Sequence, residues 1–570
     1  MRKLLLILAI LSSFSAEAQL LIRNVTIVDV ENKKLLPPQD VQVTNGTISA
    51  IGTKLSATNA TQVIDGTGKW LMPGLVDAHV HFFQSGSIYT RPDAINLARY
   101  QPYAKEIDWS HQHMEDFLRR YAAAGITSVI DVGATANFLR QRDTFRTKDY
   151  SPGVYMTGPL LTTWEPEVFK PLGDDEPFYL MKTVNDAKAY VQKQLPLKPD
   201  FIKIWYIVNG RNVDSAARAS LPLVKAVIDE SHKQGLRVAV HATELITAKL
   251  SVEAGADYLV HSVDEPIDEA FIQLLKNNKT VLSPTLVVVG NYPRALGQMY
   301  TPTKEDMHYA HPAPVNTMFD MAVLSDTLLT NRIKRAVQNG KANMKREDSI
   351  RMSNLARLMA AGVLIATGTD AGNIGTHHVS SYFDELRYMQ QAGMSTWKLL
   401  EASTINGAKA IGRQQQFGTI AKGLQADMLL LSKDPTLSID NWKNIEWVVN
   451  KGVAFRPDSL RRFTPTDLAD QQLLAYNAHD LEAFLQPYAD SVEIYNLNTG
   501  KLEVKGKEAM RTRYNFLSTV KVLHCKLLNR IVQGNIVIDH EEITAAKGKF
   551  YGVAIYEVAN NKIVRVWFPD

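Results

Sequence analysis

One cysteine, Cys525, stands in a chain of 570 residues. No intrachain disulfide can form, so the fold must rest on a buried core rather than on cross-links. Cys525 itself reads as a small buried hydrophobe, not a reactive thiol. Long apolar runs are also missing. A membrane span takes about 20 apolar residues, and the run from Leu4 to Leu11 is far shorter. An excess of one charge is missing too: 63 Lys and Arg face 59 Asp and Glu, a net +4. That balance offers no electrostatic case for nucleic acid, and no basic stripe is interleaved with aromatics. What is present is a globular composition, 45% hydrophobic and 21% charged. The chain is too long for one ordinary domain.

The first 18 residues read as a secretory signal. Arg2 and Lys3 open it, an apolar core follows, and Ala16-Glu17-Ala18 supplies an A-x-A cleavage site before Gln19. The expectation is a periplasmic or secreted protein, cut after Ala18, with no membrane anchor after cleavage. No Cys follows that site, so lipid attachment there is not expected.

Residues 20–72 alternate apolar and polar, with a hairpin turn at Asn45-Gly46. Short strands return at 427–432 and 445–452. We read 19–72 and 416–458 as one small composite β-sandwich domain. The insertion, 73–415, alternates buried strands with helices. Its strand candidates are 75–81, 128–132, 154–157, 201–206, 237–241, 258–261, 280–284 and 364–369. Eight such units predict an α/β fold, a (β/α)8 barrel of the TIM type. The long connection over 291–346 carries aromatics and helical stretches and is a candidate lid. After Arg462 the pattern changes. An amphipathic helix pair over 468–485 precedes β-type runs at 492–495, 520–528, 530–539, 552–558 and 562–568. Helices followed by an antiparallel sheet suggest a separate α+β domain, 463–570.

Ligand-type residues sit at the ends of the barrel's apolar runs. His79 and His81 close the run Leu71-Met-Pro-Gly-Leu-Val-Asp-Ala-His-Val-His81, and Lys203, His241, His261 and Asp370 close others. Alternate strand side chains share a face, so His-x-His aims two imidazoles at one point. Active sites of such barrels lie at the C-terminal strand ends. Imidazoles and a carboxylate suit one or two divalent ions, Zn²⁺ foremost. An ammonium does not, but a buried lysine of depressed pKa can take up carbon dioxide. The resulting carbamate is anionic and can bridge two metals. Lys203 lies mid-strand among apolar neighbours, which favours that reading. His111, His113, His232, His308 and His311 lack strand-end placement and read as surface or lid residues.

Over about 20–456 the chain resembles the amidohydrolase superfamily, specifically the imidazolonepropionase-like amidohydrolases that include Xaa-Pro and Xaa-Arg dipeptidases. The carrying motifs are Met72-Pro-Gly-Leu-Val-Asp-Ala-His-Val-His81, Asp200-Phe-Ile-Lys203, Val240-His241-Ala-Thr, Leu259-Val-His261-Ser and Gly368-Thr-Asp370-Ala-Gly. The resemblance implies His79, His81 and Asp370 on one metal, His241 and His261 on a second, and carboxylated Lys203 bridging. It implies hydrolysis of an amide-type C–N bond by metal-bound hydroxide, with Asp370 as proton shuttle. A dipeptide or other small molecule is the implied substrate. The loop bearing His377 and His378 resembles the family's substrate-side loop. His378 or Tyr206 would help to polarise the carbonyl, and Tyr206, His377 and His378 would contact substrate. Ile130 stands before Asp131 where many relatives have Arg, leaving that substrate contact unfilled.

Glu244 follows His241 by three residues, as in imidazolonepropionase and related deaminases, where it shuttles protons at a single metal. This gives an alternative: a mononuclear deaminase or imidazolone-type hydrolase using Glu244. A second alternative is a non-catalytic periplasmic ligand-binding protein. The segment 463–570 resembles SnoaL-like, ketosteroid-isomerase-type cone domains (cystatin-like rolls), through Ala475-Tyr-Asn-Ala-His-Asp-Leu-Glu-Ala-Phe and Tyr488-Ala-Asp-Ser-Val-Glu-Ile-Tyr. No catalytic residue is identifiable in it. It reads as a docking, dimerisation or ligand-holding module, so a homo-oligomer is among the expected assemblies.

Overall fold

The computed structural model describes residues 20–58 and 60–569. The expected export signal lies outside the described residues.

Strands from both ends of the barrel insertion form one nine-stranded sheet. Trp70–Pro73 pairs antiparallel with Met428–Leu431, so the chain leaves for the barrel and returns beside the strand it left. The strand Leu20–Asp29 serves two sets of partners. Its first residues pair with Gln39–Thr44 and Gln62–Asp65, and its later ones with Trp70–Pro73. The change falls at an irregularity between Ile22 and Val25, where Asn24 has φ 49°. Such a kink re-aims a strand without ending it. Leu20, Ile22, Val41, Val43, Met428 and Leu430 bury the sheet's inner face.

The barrel strands are Leu75–Val80, Ile126–Asp131, Gly153–Met156, Ile202–Trp205, Val238–His241, Tyr258–Val260 and Val281–Ser283. Two features depart from expectation. The third strand resumes after a break as Leu160–Thr162, which pairs with the fourth strand and carries an added edge strand, Phe178–Leu180. The break spans Thr157-Gly-Pro159, and proline has no N–H to give a ladder. The eighth position is not a regular strand. Isolated bridges stand in its place, Ile365 with Leu282 and Ala371 with Val80. Closure is nevertheless made by backbone bonds, Ala366 N to Leu282 O at 2.9 Å and Ala78 N to Thr367 O at 2.8 Å. Gly368 explains the irregularity: a Cβ there would lie 2.7 Å from His79 Cβ, so the chain passes too close to the first strand for any side chain.

Inside the barrel Val76, Ile130, Phe201, Ala239, Tyr258 and Val281 pack together. Ile202, Ile204, Val240 and Leu282 face outward under the helices. The strand alternation therefore puts Lys203 on the inner face with Phe201.

The connection after Val281–Ser283 folds as Leu286–Leu296, Lys304–Tyr309, Pro312–Asn316, the 3₁₀ turn Thr317–Ala322 and the long helix Thr327–Ala360. The C-terminal domain docks on it. Asn477 donates to Asn316 Oδ1 at 2.8 Å, and Asp467 lies 3.4 Å from Arg120 of a barrel helix.

That domain carries Pro465–Asn477, Leu481–Leu485 and Lys507–Tyr514 against a six-stranded sheet. The runs expected at 520–528 and 530–539 divide differently. Leu523–Gln533 is one strand with an irregularity between Leu527 and Asn529, and Ile536–Ala545 is the next. The turn falls at Gly534, φ 59°, a conformation glycine adopts without penalty.

Candidate metal centre and active site

His79 is the next-to-last residue of the first barrel strand, and His81 directly follows it. Their Nε2 atoms lie 3.3 Å apart, with rings inclined at 78°. Asp370, just past the eighth position, places Oδ1 at 3.1 Å from His79 Nε2 and 3.0 Å from His81 Nε2. His81 Nδ1 donates to the Gly133 carbonyl at 2.9 Å. In the neutral ring Nε2 then carries a lone pair, and it faces a carboxylate oxygen. Two acceptors at such a separation repel unless a proton or a cation lies between them. Asp370 Oδ1 is buried without a hydrogen-bond partner of good geometry. The donor set fits a divalent ion.

His261 directly follows the sixth strand. Its ring is 4.9 Å from that of His79 and 4.4 Å from that of His241. Ligand atoms of His79, His261 and Asp370 all lie within 4.8 Å of one another. Thr285 Oγ1 is 2.8 Å from His261 Nδ1, a contact that orients the ring, and the same nitrogen lies 4.0 Å from Asp370 Oδ2. His261 and Asp370 have φ 82° and 61°. Non-glycine residues held in this region store strain, which concentrates at functional sites.

Burial sets the electrostatics. It pushes His79 down to about 3 and holds His241 and His261 well below the usual imidazole range. All three present neutral nitrogens. Burial pushes Asp370 up, but the facing imidazoles outweigh it and hold the carboxylate well below its usual range. Lys203 is 1% exposed. Burial brings it down to about 7 against the pull of Asp370 and Asp131. Among the described residues no hydrogen bond or ion pair holds its ammonium. So His79, His81, His241, His261, Lys203 and Asp370 all meet at one end of the barrel.

The other expected site residues are placed differently. The Tyr206 hydroxyl is taken by the Ala217 carbonyl, so it does not point at a substrate carbonyl. His378 donates from Nε2 to Gln84 O at 2.9 Å, and its Nδ1 faces the Tyr121 hydroxyl at 3.1 Å. It is also stacked on Phe82. Both nitrogens are committed, so His378 braces the loop instead of polarising a carbonyl. His377 is buried with both ring nitrogens unpartnered, edge-on to Tyr300. Glu244 caps the helix Leu245–Glu253, and its Oε2 accepts from Thr247 Oγ1 at 2.8 Å. Ile130 packs inside the barrel. Of the other histidines, His311, within the insertion, is buried 3.6 Å from Asp467 of the C-terminal domain.

Sequence reasoning missed the residues that brace the centre. Asp77 accepts Thr369 Oγ1 at 2.8 Å and the His79 amide at 3.3 Å. Asp131 accepts the Phe82 amide at 2.9 Å and the Gly133 amide at 3.0 Å. Burial pushes each up to about 7. Both lie within the strand-end motifs, which was the available signal. Arg91 had none. It pairs with Asp93, meets Tyr292 at 3.0 Å and bonds Asn373, whose amide holds the Asp370 carbonyl at 3.0 Å.

The family model described as the amidohydrolase family matches residues 70–454, and that of a SnoaL-like domain matches 469–566. The 5-methylthioadenosine/S-adenosylhomocysteine deaminase of Shouchella clausii is 22% identical over 397 residues, 66% of this chain and 76% of its own. Among solved structures, a Xaa-Pro dipeptidase with methionine bound in its active site is 21% identical, with TM-score 0.56 over 77% of this chain and 100% of its own. The A. niger ochratoxinase is 17% identical, with TM-score 0.58 over 77% of this chain and 96% of its own. At these identities the structural likenesses establish a shared fold.

Proposed function

This chain belongs to the amidohydrolase family, and we propose that it is an exported, metal-dependent hydrolase of an amide-type C–N bond in a dipeptide or cyclic amide. One observation carries the reading. His79 Nε2, His81 Nε2 and Asp370 Oδ1 converge within 3.0 to 3.3 Å, three ligand-type atoms aimed at one buried point.

His79, His81 and Asp370 would hold one divalent ion, His241 and His261 a second, with carboxylated Lys203 between them. When bound, such ions supply Lewis acidity, polarising a carbonyl and acidifying water. Zn²⁺ suits this ligand set. The chain's own residues do the rest. The Lys203 amine, brought down to about 7 by burial, has a sizeable neutral fraction at neutral pH. The neutral amine attacks carbon dioxide, an N–C bond forms, one proton leaves to solvent, and a carbamate stands where the amine stood. Asp370 takes a proton from the attacking water and returns it to the leaving nitrogen. The Gly133 carbonyl fixes the tautomer of His81, and Thr285 orients His261. Asn373, itself held by Arg91, anchors the Asp370 backbone.

The dipeptidase and ochratoxinase likenesses are in keeping with an amide-type substrate. The deaminase relative and Glu244, at the head of the helix after His241, favour a second reading, a mononuclear deaminase.

The test is metal content on protein purified without chelator, followed by a dipeptide panel. About two divalent ions per chain, falling in Lys203→Ala, support the bridged site. One ion, indifferent to Lys203, moves the reading to Glu244. No ion after incubation with Zn²⁺ overturns both.

A further inference from the structure

The C-terminal domain has a charge deficit of its own. The strand Ile536–Ala545 buries every second residue, Val537, Asp539, Glu541 and Ile543. Side chains two apart share a face, so Asp539 and Glu541 both enter the domain's interior. Arg530 stands opposite Asp539 in the ladder. Its Nε and Nη2 donate to the two oxygens of Asp539 at 2.6 and 2.7 Å, and its Nη1 donates to Asp470 at 2.6 Å. One guanidinium thus serves two carboxylates, and Glu541 is left over. Its hydrogen-bonding neighbours, Cys525 and Tyr556, are neutral groups.

Glu541 lines a cavity of about 350 Å³ with Tyr476, Phe484, Tyr488, Tyr514 and Tyr556. No Lys, Arg or His is among the lining residues. Phe550 and Tyr551 also line it and are 55% and 64% exposed, which gives the cavity an aromatic mouth. The volume is that of a small-molecule site. Burial, with Asp539 adding to it, pushes Glu541 up to about 7 against the pull of the more distant Arg530, which is bonded to Asp539 and Asp470.

We propose that this cavity binds an organic amine: an apolar, ring-bearing ligand whose ammonium pairs with Glu541 against the faces of the surrounding tyrosines. The cation balances three buried carboxyls that now share one guanidinium, and aromatic faces attract cations. The ring system fills the apolar walls. An anionic ligand meets Glu541 and is repelled. A neutral isostere fills the same volume and leaves the carboxyl unpaired. This site is independent of the reading of the barrel.

Calorimetric titration of the full chain at pH 7.5 tests it with 4-phenylbutylamine, 4-phenylbutan-1-ol and 4-phenylbutanoate. The amine is expected to bind at least about tenfold more tightly than the alcohol, and the acid not at all. Glu541→Gln should bring the amine down to the alcohol's affinity, and Glu541→Asp should retain part of the preference. Asp370→Asn, in the barrel, should leave amine binding unchanged. Leu473→Phe narrows the cavity without touching its charge and should weaken amine and alcohol alike. Thermal melting of each variant shows that it is folded. Alcohol or acid binding as tightly as amine overturns the proposal. So does amine binding untouched by Glu541→Gln or lost in Asp370→Asn, or no binding at all.

Discussion

His524 Nε2 of the C-terminal domain lies 3.1 Å from Asp320 Oδ1 in the long insertion. The other Asp320 oxygen accepts the Tyr89 hydroxyl at 2.8 Å. Tyr89 belongs to the loop after the first barrel strand, two residues before Arg91. Polar contacts thus run from the cone domain through the insertion to the loop that carries Arg91. His524→Ala should loosen the insertion over the site. Amide exchange over 304–322 should speed up by about tenfold or more, as expected when a bond to a carboxylate worth ~1.5–3 kcal/mol is lost. KM should rise while metal content stays unchanged. Unaltered exchange would show that the domain does not restrain the insertion.

In the proposed mechanism Asp370→Asn removes the proton shuttle and keeps a ligand oxygen. Turnover should fall by about 10²–10⁴-fold, the usual worth of general acid–base catalysis, with the fold intact. Turnover near that of the parent would remove Asp370 from the proton path.

Glu244 is tied to Thr247 Oγ1 at 2.8 Å. In a bridged two-metal hydrolase, Glu244→Ala should change kcat by less than about tenfold, short of the loss of a general base. A loss of all activity would instead support the deaminase reading, and amino-substituted heterocycles become the substrates to try.

His378→Ala should be a stability variant. Two hydrogen bonds and a stacked ring are lost at a buried site. Chemical denaturation should show a cost of about 2–4 kcal/mol. A large fall in kcat without that cost would return His378 to a role in catalysis.

Glu385 is buried and accepts the Val287 amide at 2.8 Å, and burial pushes it from 4.5 up to about 8. Between those values the folded chain holds a proton that the unfolded chain has released. Its contribution to stability is present below about 4.5 and is lost as pH rises through about 8. Glu385→Gln should therefore flatten the fall in stability over that window. An unchanged pH profile of denaturation midpoints would show that Glu385 does not titrate there.

The sequence by itself determined which residue types stand at the strand ends and in what order. His79, His81, Lys203, His241, His261 and Asp370 were legible because apolar runs are local, and a strand's period of two fixes which side chains share a face. The return of the β domain after the barrel was legible for the same reason. Other features were decided only when distant segments met. Arg91 and Asn373 are 282 residues apart, and no local pattern joins them. Motif likeness put His378 and Tyr206 at the substrate. The folded chain instead gives their polar atoms to Gln84, Tyr121 and Ala217. The eighth strand looked regular as a run of residues, but Gly368 packed against His79 made it a bent crossing. The leftover charge of Glu541 appears only once Arg530 is seen to serve both Asp470 and Asp539. Periodicity is a property of neighbouring residues, so sequence carries it. Hydrogen-bond capacity and charge balance are properties of everything that packs around a group, so tertiary structure alone decides how they are used.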